Sequence, residues 1–502
     1  MTDGPDGDWG PLLDDLADRR RAAEAMGGPE RVGRHHDAGK LDARARIAHL
    51  LDAGSFHELG ALVGTVPADG IVGGHGTIDG RPVVVGAEDF TVMGGSIGVG
   101  SSAKRYRLAE LAGQERVPLV MLLEGAGHRP PMEGEPVHGR APIDLQQQAR
   151  LSGRVPVVTG VLGPSAGHGA LVAPLSDFAI MSAGAAIFTA GPPVVKESLG
   201  EDITKEQLGG PEVAIGSGLI HNVAATDEAV LDDIRTYLSF FGSSAWSYPP
   251  SAAQPVDAAE RTLDAILDVV PRDNASVYDM REVISMTVDG GGFFQVQPDF
   301  GPAMVCALAH VGGQPVAVVA NQPAVLAGAI DTDAADKAAH FIQVADAFHL
   351  PLVFLADNPG VLAGSASERQ GILRAGGRMY AAQTLARVPK LQITLRKAYG
   401  FGSMVMAMVS FEGQTLSAGF PGATLGAMGS ASSSRAVGAD DDQADAIRRA
   451  EMNAAYRSAS GLGFDDLIDP RQLRNVLLRH LRLALNRRQA APEPRAGSAI
   501  WP

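Results

Sequence analysis

The feature that most limits what this chain can fold into is an internal repeat. Gly80, Pro118, Gly127, Pro156 and Gly167 recur as Gly313, Pro351, Gly360, Pro389 and Gly400, each 233 positions further on (400 − 167 = 233). The residues around these landmarks agree in character. Gly80-Arg81-Pro82-Val83-Val84-Val85 matches Gly313-Gln314-Pro315-Val316-Ala317-Val318. Val117-Pro118-Leu119-Val120-Met121-Leu122-Leu123-Glu124 matches Leu350-Pro351-Leu352-Val353-Phe354-Leu355-Ala356-Asp357. A constant offset with no net gap implies two copies of one domain, too few for a solenoid. A chain of 502 residues has room for two such domains, each with its own core. We expect them over 1–245 and 246–502, because residues 240–257 hold Gly242, Pro249, Pro250 and Pro255 and read as a linker. Short apolar strands alternate with glycine turns and amphipathic helices in both copies, the pattern of an α/β fold.

One motif inside the repeat carries chemistry. Arg154 to Ala170 reads as a buried strand, a glycine turn at Gly167-His168-Gly169, and the start of an apolar helix. Arg387 to Ser403 has the same parts in the same order, with Gly400-Phe401-Gly402 at the turn. A strand that ends in Gly-x-Gly and enters a helix leaves backbone N–H groups without intrahelical acceptors, which suits a negatively charged oxygen. Where that charge develops during a reaction, the turn is an oxyanion hole. Either turn alone would read as an ordinary strand-to-helix connection. The two turns stand at equivalent positions of the repeat.

The remaining signals mostly exclude. A net charge of −15 argues against DNA or RNA, since phosphate binding needs a basic face. The single cysteine, Cys306, lies in an apolar run and reads as a buried thiol, which leaves no disulfide within the chain and no cysteine-rich zinc site. No secretory signal and no bilayer-spanning run is present, so a cytoplasmic protein with no membrane association is expected. Residues 12–26 read as a charged helix, and Asp42 as the N-cap of a helix whose apolar face holds Ile47, Leu50 and Leu51. His35 and His36 read as an exposed loop before it. Ser101 to Gln114 reads as an amphipathic helix whose Lys104, Arg105 and Arg107 are either a solvated face or phosphate contacts. The loop from Gly125 to Arg140, after a buried strand, is a candidate ligand loop with His128 and His138, for which the sequence names no partner. Thr189 to Lys196 reads as an apolar strand and turn.

With these residues in place, the chain resembles the carboxyltransferase β subunits of biotin-dependent acyl-CoA carboxylases of the propionyl-CoA carboxylase type. The matching stretches are Gly39–Ile47, Glu88–Ser96, Gly163–Ala170, Pro174–Phe178, Thr189–Val195, Tyr278–Val283, Phe294–Asp299, Ala320–Pro323 and Thr394–Gly400. The resemblance implies two tandem crotonase-like ββα superhelix domains. It also implies the transfer of CO₂ from carboxybiotin to the α-carbon of a short acyl-CoA, of the propionyl- or acetyl-CoA class. In that scheme the biotin ureido nitrogen takes the α-proton and no side-chain base is needed. The protein supplies two oxyanion holes. The N-terminal one, for the thioester, falls on Gly167, His168 and Gly169; the C-terminal one, for biotin, falls on Phe401 and Gly402 after Gly400. The resemblance further places Gly94, Gly95, Ser96, Lys104, Gly127 and Met404 at the substrate.

Biotin has to arrive on a partner, because Val405-Met406-Ala407-Met408 lacks the lysine of a biotinylation site and no glycine-rich ATP loop is present. The implied partners are an acyl-CoA and a biotin carboxylase or biotin carboxyl carrier subunit, with no metal on this chain. The implied assembly is a homo-oligomer, a hexamer within a larger complex, in which the N domain of one protomer meets the C domain of another. The chain departs from the propionyl-type pattern at His168, Phe401 and Met404, and at Glu124-Gly125-Ala126-Gly127-His128-Arg129 where that pattern has Ser-Gly-Gly-Ala-Arg. Alternatives to the carboxylase are a decarboxylase or transcarboxylase subunit acting on a malonyl-type CoA thioester, a crotonase-type hydratase, and a non-catalytic scaffold. A hydratase needs paired carboxylates for acid–base work. Glu124 and Asp357 are equivalent by the repeat and belong to different domains.

Overall fold

The computed structural model describes residues 9–129, 143–408, 413–488, 493–494 and 500. The chain divides into two compact units, 1–235 and 236–501. In the first, eight strands form one sheet: β1 (His57–Glu58), β2 (Ile71–Ile78), β3 (Arg81–Glu88), β4 (Leu119–Gly125), β5 (Val157–Ala166), β6 (Phe178–Ser182), β7 (Ala186–Phe188) and β8 (Asn222–Ala224). Their order is β1-β2-β3-β4-β5-β6-β8, with β7 beside the far end of β5. The pairs β1–β2 and β2–β3 are antiparallel, and every pair from β3 onward is parallel. The second unit repeats this with β9 (Phe293–Val296), β10 (Met304–Val311), β11 (Gln314–Asn321), β12 (Leu352–Asn358), β13 (Lys390–Tyr399), β14 (Gln414–Gly419), β15 (Thr424–Gly426) and β16 (Asp466–Leu467).

The offset of 233 survives folding at both ends of four strands: β2, β3, β4 and β5 map onto β10, β11, β12 and β13 with no shift. It also carries the irregular parts. The ladder breaks after Leu123 on β4 and after Ala356 on β12, and the isolated bridge Ile97–His128 corresponds to Ile330–Val361. These strands are near-continuous apolar runs because a parallel sheet is covered on both faces. In the first unit Val84, Met121, Leu123, Val157 and Val161 pack with Leu108 and Ala112 of the helix Val99–Glu115. Leu355, Leu391 and Ile393 pack with Leu477 and Leu481 of the helix Leu473–Leu485 in the second. Cys306 is buried in β10, and burial pushes its thiol up to about 12, so it is an inert core residue.

Several local expectations hold and two are corrected. Asp42 caps the helix Ala43–Leu50, its side chain accepting from Ala45 N at 2.9 Å. His35 and His36, expected in an exposed loop, lie in the helix Pro29–Asp37, and His35 is buried. Pro29 at the first helical position and the cations of its last turn favour that helix. Thr189 to Lys196, expected as strand and turn, instead leads into the helix Pro192–Leu199, started by the same N-terminal proline effect. Among the described residues, no helix is long and apolar enough to cross a membrane.

Candidate functional site

In each unit three chain segments meet at the carboxyl ends of adjacent parallel strands. After β3 the chain turns through Met93-Gly94-Gly95, after β4 through Ala126-Gly127, and after β5 through Gly167-His168-Gly169. Ile97 N donates to Gly127 O at 2.7 Å and Ala126 N to Gly94 O at 3.0 Å, locking the first two together. In the second unit Ile330 N donates to Gly360 O at 3.1 Å. The glycines are obligatory for close approach. A Cβ on Gly95 would lie 2.3 Å from Glu124 O, and one on its counterpart Gly328 would lie 2.3 Å from Asp357 O.

The two Gly-x-Gly turns are built alike. Ala166 and Tyr399 are extended, and the next residues, Gly167 at φ +59° and Gly400 at φ +52°, reverse the chain in a left-handed conformation that glycine adopts without strain. The short helices Gly167–Ala170 and Gly400–Val405 begin there, so the first amides of each have no intrahelical acceptor. A Cβ on Gly402 would lie 2.2 Å from Asn358 Oδ1 and 2.7 Å from Gly360 Cα, and one on Gly169 3.0 Å from Glu88 Oε1. The middle residue differs. Phe401 packs against Tyr380, with ring centroids 5.7 Å apart. His168 instead bonds through Nε2 to Asp144 Oδ1 at 2.5 Å and meets His128 edge-on at 4.6 Å.

Buried charge surrounds the N-terminal turn. Arg105 bridges two carboxylates, with Nε 2.8 Å from Asp144 Oδ2 and Nη1 2.6 Å from Glu88 Oε1. Burial opposes ionisation of Asp144, but the His168 hydrogen bond and the Arg105 charge outweigh it and hold the carboxyl at about 2. Burial, then the neighbouring His168, pushes His128 below the usual imidazole range. Glu124, at the end of β4, receives Lys40 Nζ at 2.5 Å and Arg46 Nη2 at 2.6 Å, with His35 Nε2 at 3.4 Å. Burial raises its pKa, but the His35 bond and the Arg46 and Lys40 charges prevail and hold it at about 2. Its counterpart Asp357 is served differently, by Arg396 Nε at 2.6 Å and the Tyr278 hydroxyl at 2.8 Å. A cavity of about 660 Å³ opens beside Gly94 and Pro164, with Arg31, Arg34, Lys40 and Lys205 in its wall.

The duplicated fold is matched by known proteins. A family model for the carboxyl transferase domain covers residues 34–498. The chain belongs to the carboxyl transferase family. It is 35% identical to the propionyl-CoA carboxylase carboxyltransferase subunit of Haloferax mediterranei, covering 97% of this chain and 98% of that one. It is 36% identical to the methylmalonyl-CoA carboxyltransferase 12S subunit of Propionibacterium freudenreichii subsp. shermanii, covering 97% and 96%. A crystal structure of a transcarboxylase 12S hexamer with methylmalonyl-CoA and methylmalonic acid bound superposes with a TM-score of 0.89 at 34% identity, covering 98% of this chain and 99% of that one. The protein is therefore a carboxyltransferase of the biotin-dependent acyl-CoA carboxylase family, with the family's two crotonase-like domains.

Within this carboxyl transferase, Gly94, Gly95, Ser96, Gly127 and Gly167–Gly169 converge at one end of the first sheet. Ser96 is turned into the structure, its Oγ donating to Met93 O at 2.7 Å and accepting from Arg129 Nε at 3.0 Å. Lys104 points inward. Its ammonium is buried and donates to Ile71 O at 2.6 Å and Ala68 O at 3.1 Å, so it presents no charge to solvent. Its repeat counterpart Lys337 does the same for Gln297 O and Phe300 O. Arg105 is buried likewise, and Arg107 stays exposed with Glu110. Met404, four residues after Gly400, is 41% exposed, and its carbonyl accepts from Gln383 Nε2 at 3.0 Å. His138 lies outside the described residues.

Asp144 and its bond to His168 were not legible in the sequence. The two residues are far apart in the chain, and the repeat gives no hint, since Asp144 corresponds to Gly377 and Arg105 to Ala338. Among the described residues, no group of three or more His, Cys, Asp or Glu side chains is placed to hold a metal ion.

Proposed function

We propose that the chain carries out the acceptor half-reaction of a short-chain acyl-CoA carboxylase, with the thioester at Gly167–Gly169 and biotin at Gly400–Gly402. The observation that supports this is the pair of left-handed glycines at equivalent strand ends, each opening a helix whose first amides have no intrahelical acceptor. The amides of His168 and Gly169 stabilise the oxygen of the thioester enolate, at about 3–4 kcal/mol for one such donor. The C-terminal turn fits a polar cyclic group. The amides of Phe401 and Gly402 stand beside the Phe401–Tyr380 ring pair, and the glycine at 402 lets the turn pack closely on Asn358 and Gly360. Biotin on a partner chain supplies the carboxyl group when bound. The cavity beside Gly94, with its cationic wall, suits the phosphates of CoA. A protein of this design works in the cytoplasm, as a hexamer like the transcarboxylase 12S, with a biotin carboxyl carrier as partner.

The test is biotin-dependent loss of CO₂ from methylmalonyl-CoA by the purified chain with free biotin. Gly169→Pro and Gly402→Pro each remove an amide and restrict φ, and both are expected to abolish turnover. A folded wild-type protein with no biotin-dependent turnover on methylmalonyl- or malonyl-CoA would instead identify a scaffold.

A further inference from the structure

We propose that the imidazole of His168 is a general base at the N-terminal turn, giving the protein a biotin-independent activity: exchange of the α-protons of an acyl-CoA. This rests on the thioester binding at Gly167–Gly169. The geometry carries the rest. Asp144 Oδ1 lies 2.5 Å from His168 Nε2. A carboxylate accepts, so Nε2 carries the proton and the lone pair of the neutral ring sits on Nδ1. Nδ1 is the ring nitrogen nearest the main chain, which places it beside the amides of the turn. Among the described residues, Nδ1 has no hydrogen-bond partner, and the side chain is 17% exposed, reachable by a ligand yet sheltered.

Asp144 is itself fixed. Its other oxygen accepts from Arg105 Nε at 2.8 Å, and Arg105 is anchored on Glu88. Asp144 and Arg105 are therefore positioning residues, by the same logic that orients the histidine of a catalytic triad. Among the described residues, the charged and titratable groups around His168 are Asp144, Arg105, His128 and, beyond Gly169, Glu88. His128 is exposed and meets the His168 ring edge-on, its centroid 4.6 Å away. The equivalent C-terminal turn carries Phe401, with no group that can take a proton.

The step balances without a cofactor. The α-C–H bond breaks, the proton moves to His168 Nδ1, and the electron pair moves onto the thioester oxygen held by the backbone amides. Return of a solvent-derived proton to the same carbon regenerates the thioester.

The experiment uses the full chain with propionyl-CoA in D₂O, without biotin or bicarbonate. Deuterium at the α-carbon is read by mass spectrometry, and thioester binding is measured alongside by calorimetry. Wild type is expected to exchange well above buffer, with a rate that rises with pH through one ionisation and then levels. His168→Gln should lower the rate by about 10²–10⁴-fold, the usual contribution of a positioned acid–base group. Asp144→Asn should lower the rate as well while thioester binding persists, because an amide at 144 can donate to Nε2 and leave the ring proton on Nδ1. A protein that binds propionyl-CoA and loses CO₂ from methylmalonyl-CoA with biotin, yet shows no exchange above buffer, overturns this proposal alone. An unchanged rate in folded His168→Gln, or a wild-type rate that climbs without levelling as hydroxide catalysis does, also overturns it. Absence of both thioester binding and biotin-dependent turnover overturns the functional reading and this proposal with it.

Discussion

Replacing Glu124 by Gln tests whether the buried charge cluster at the end of β4 fastens the N-terminal segment to the sheet. The carboxylate is almost fully buried and receives Lys40, Arg46 and His35, all from the chain before β1. Its pKa falls from an ordinary 4.5 to about 2. At about 1.36 kcal/mol per pH unit, that difference is worth about 3 kcal/mol of stability. Breaking a buried ion pair from one side costs about 3–5 kcal/mol. Arg46 keeps Asp227 at 2.8 Å, so the lower end applies.

The sign follows from a folded pKa that is depressed. The stabilisation is complete above pH 4.5 and is lost as pH falls toward 2. The assay is hydrogen exchange on peptides covering the helix Ala43–Leu50 and β4, corrected for intrinsic rates, since a two-unit chain has no single unfolding free energy. Glu124→Gln should lower local protection by about 3 kcal/mol at pH 7, and the gap should shrink at pH 3, where the opened form of wild type, at its ordinary 4.5, is already protonated. A gap that is the same at both pH values, or absent at pH 7, would refute the reasoning.

Lys104→Met should lower thermal stability by about 1–3 kcal/mol by leaving the Ile71 carbonyl without the Lys104 donor, while the KM for acyl-CoA stays within about twofold; a KM increase of tenfold or more would restore it as a phosphate contact. Gly402→Ala should abolish biotin-dependent turnover while leaving propionyl-CoA affinity at the N-terminal turn intact, because the added methyl collides with Asn358 Oδ1; calorimetry with the thioester separates the two effects. Met404→Asp should change the kcat/KM ratios among acetyl-, propionyl- and butyryl-CoA, at about 1–3 kcal/mol per methylene for an apolar pocket; equal ratios in a folded variant would remove Met404 from the acyl site.

The sequence by itself determined the duplication, the α/β character of each copy and the two Gly-x-Gly turns. Each of these is a local pattern, and the offset of 233 carried it from one copy to the other down to the ladder breaks in β4 and β12. The N-cap at Asp42 and the buried thiol of Cys306 were legible for the same reason: each depends on neighbours close in the chain. Only the tertiary structure decided where the charges went. Lys104 and Arg105 sit on one helix in a pattern that also fits a solvated face, and both are buried because acceptors from distant segments meet them there. His35 is drawn in by Glu124, and His168 by Asp144. Such pairs join residues far apart in sequence, and a buried charge is tolerated only where the fold brings its partner within hydrogen-bond distance. The repeat could not foretell them, because the counterparts of Asp144, Arg105 and His168 are Gly377, Ala338 and Phe401. The backbone of the two turns is shared, and the side chains that tell them apart are set by contacts that form only on folding.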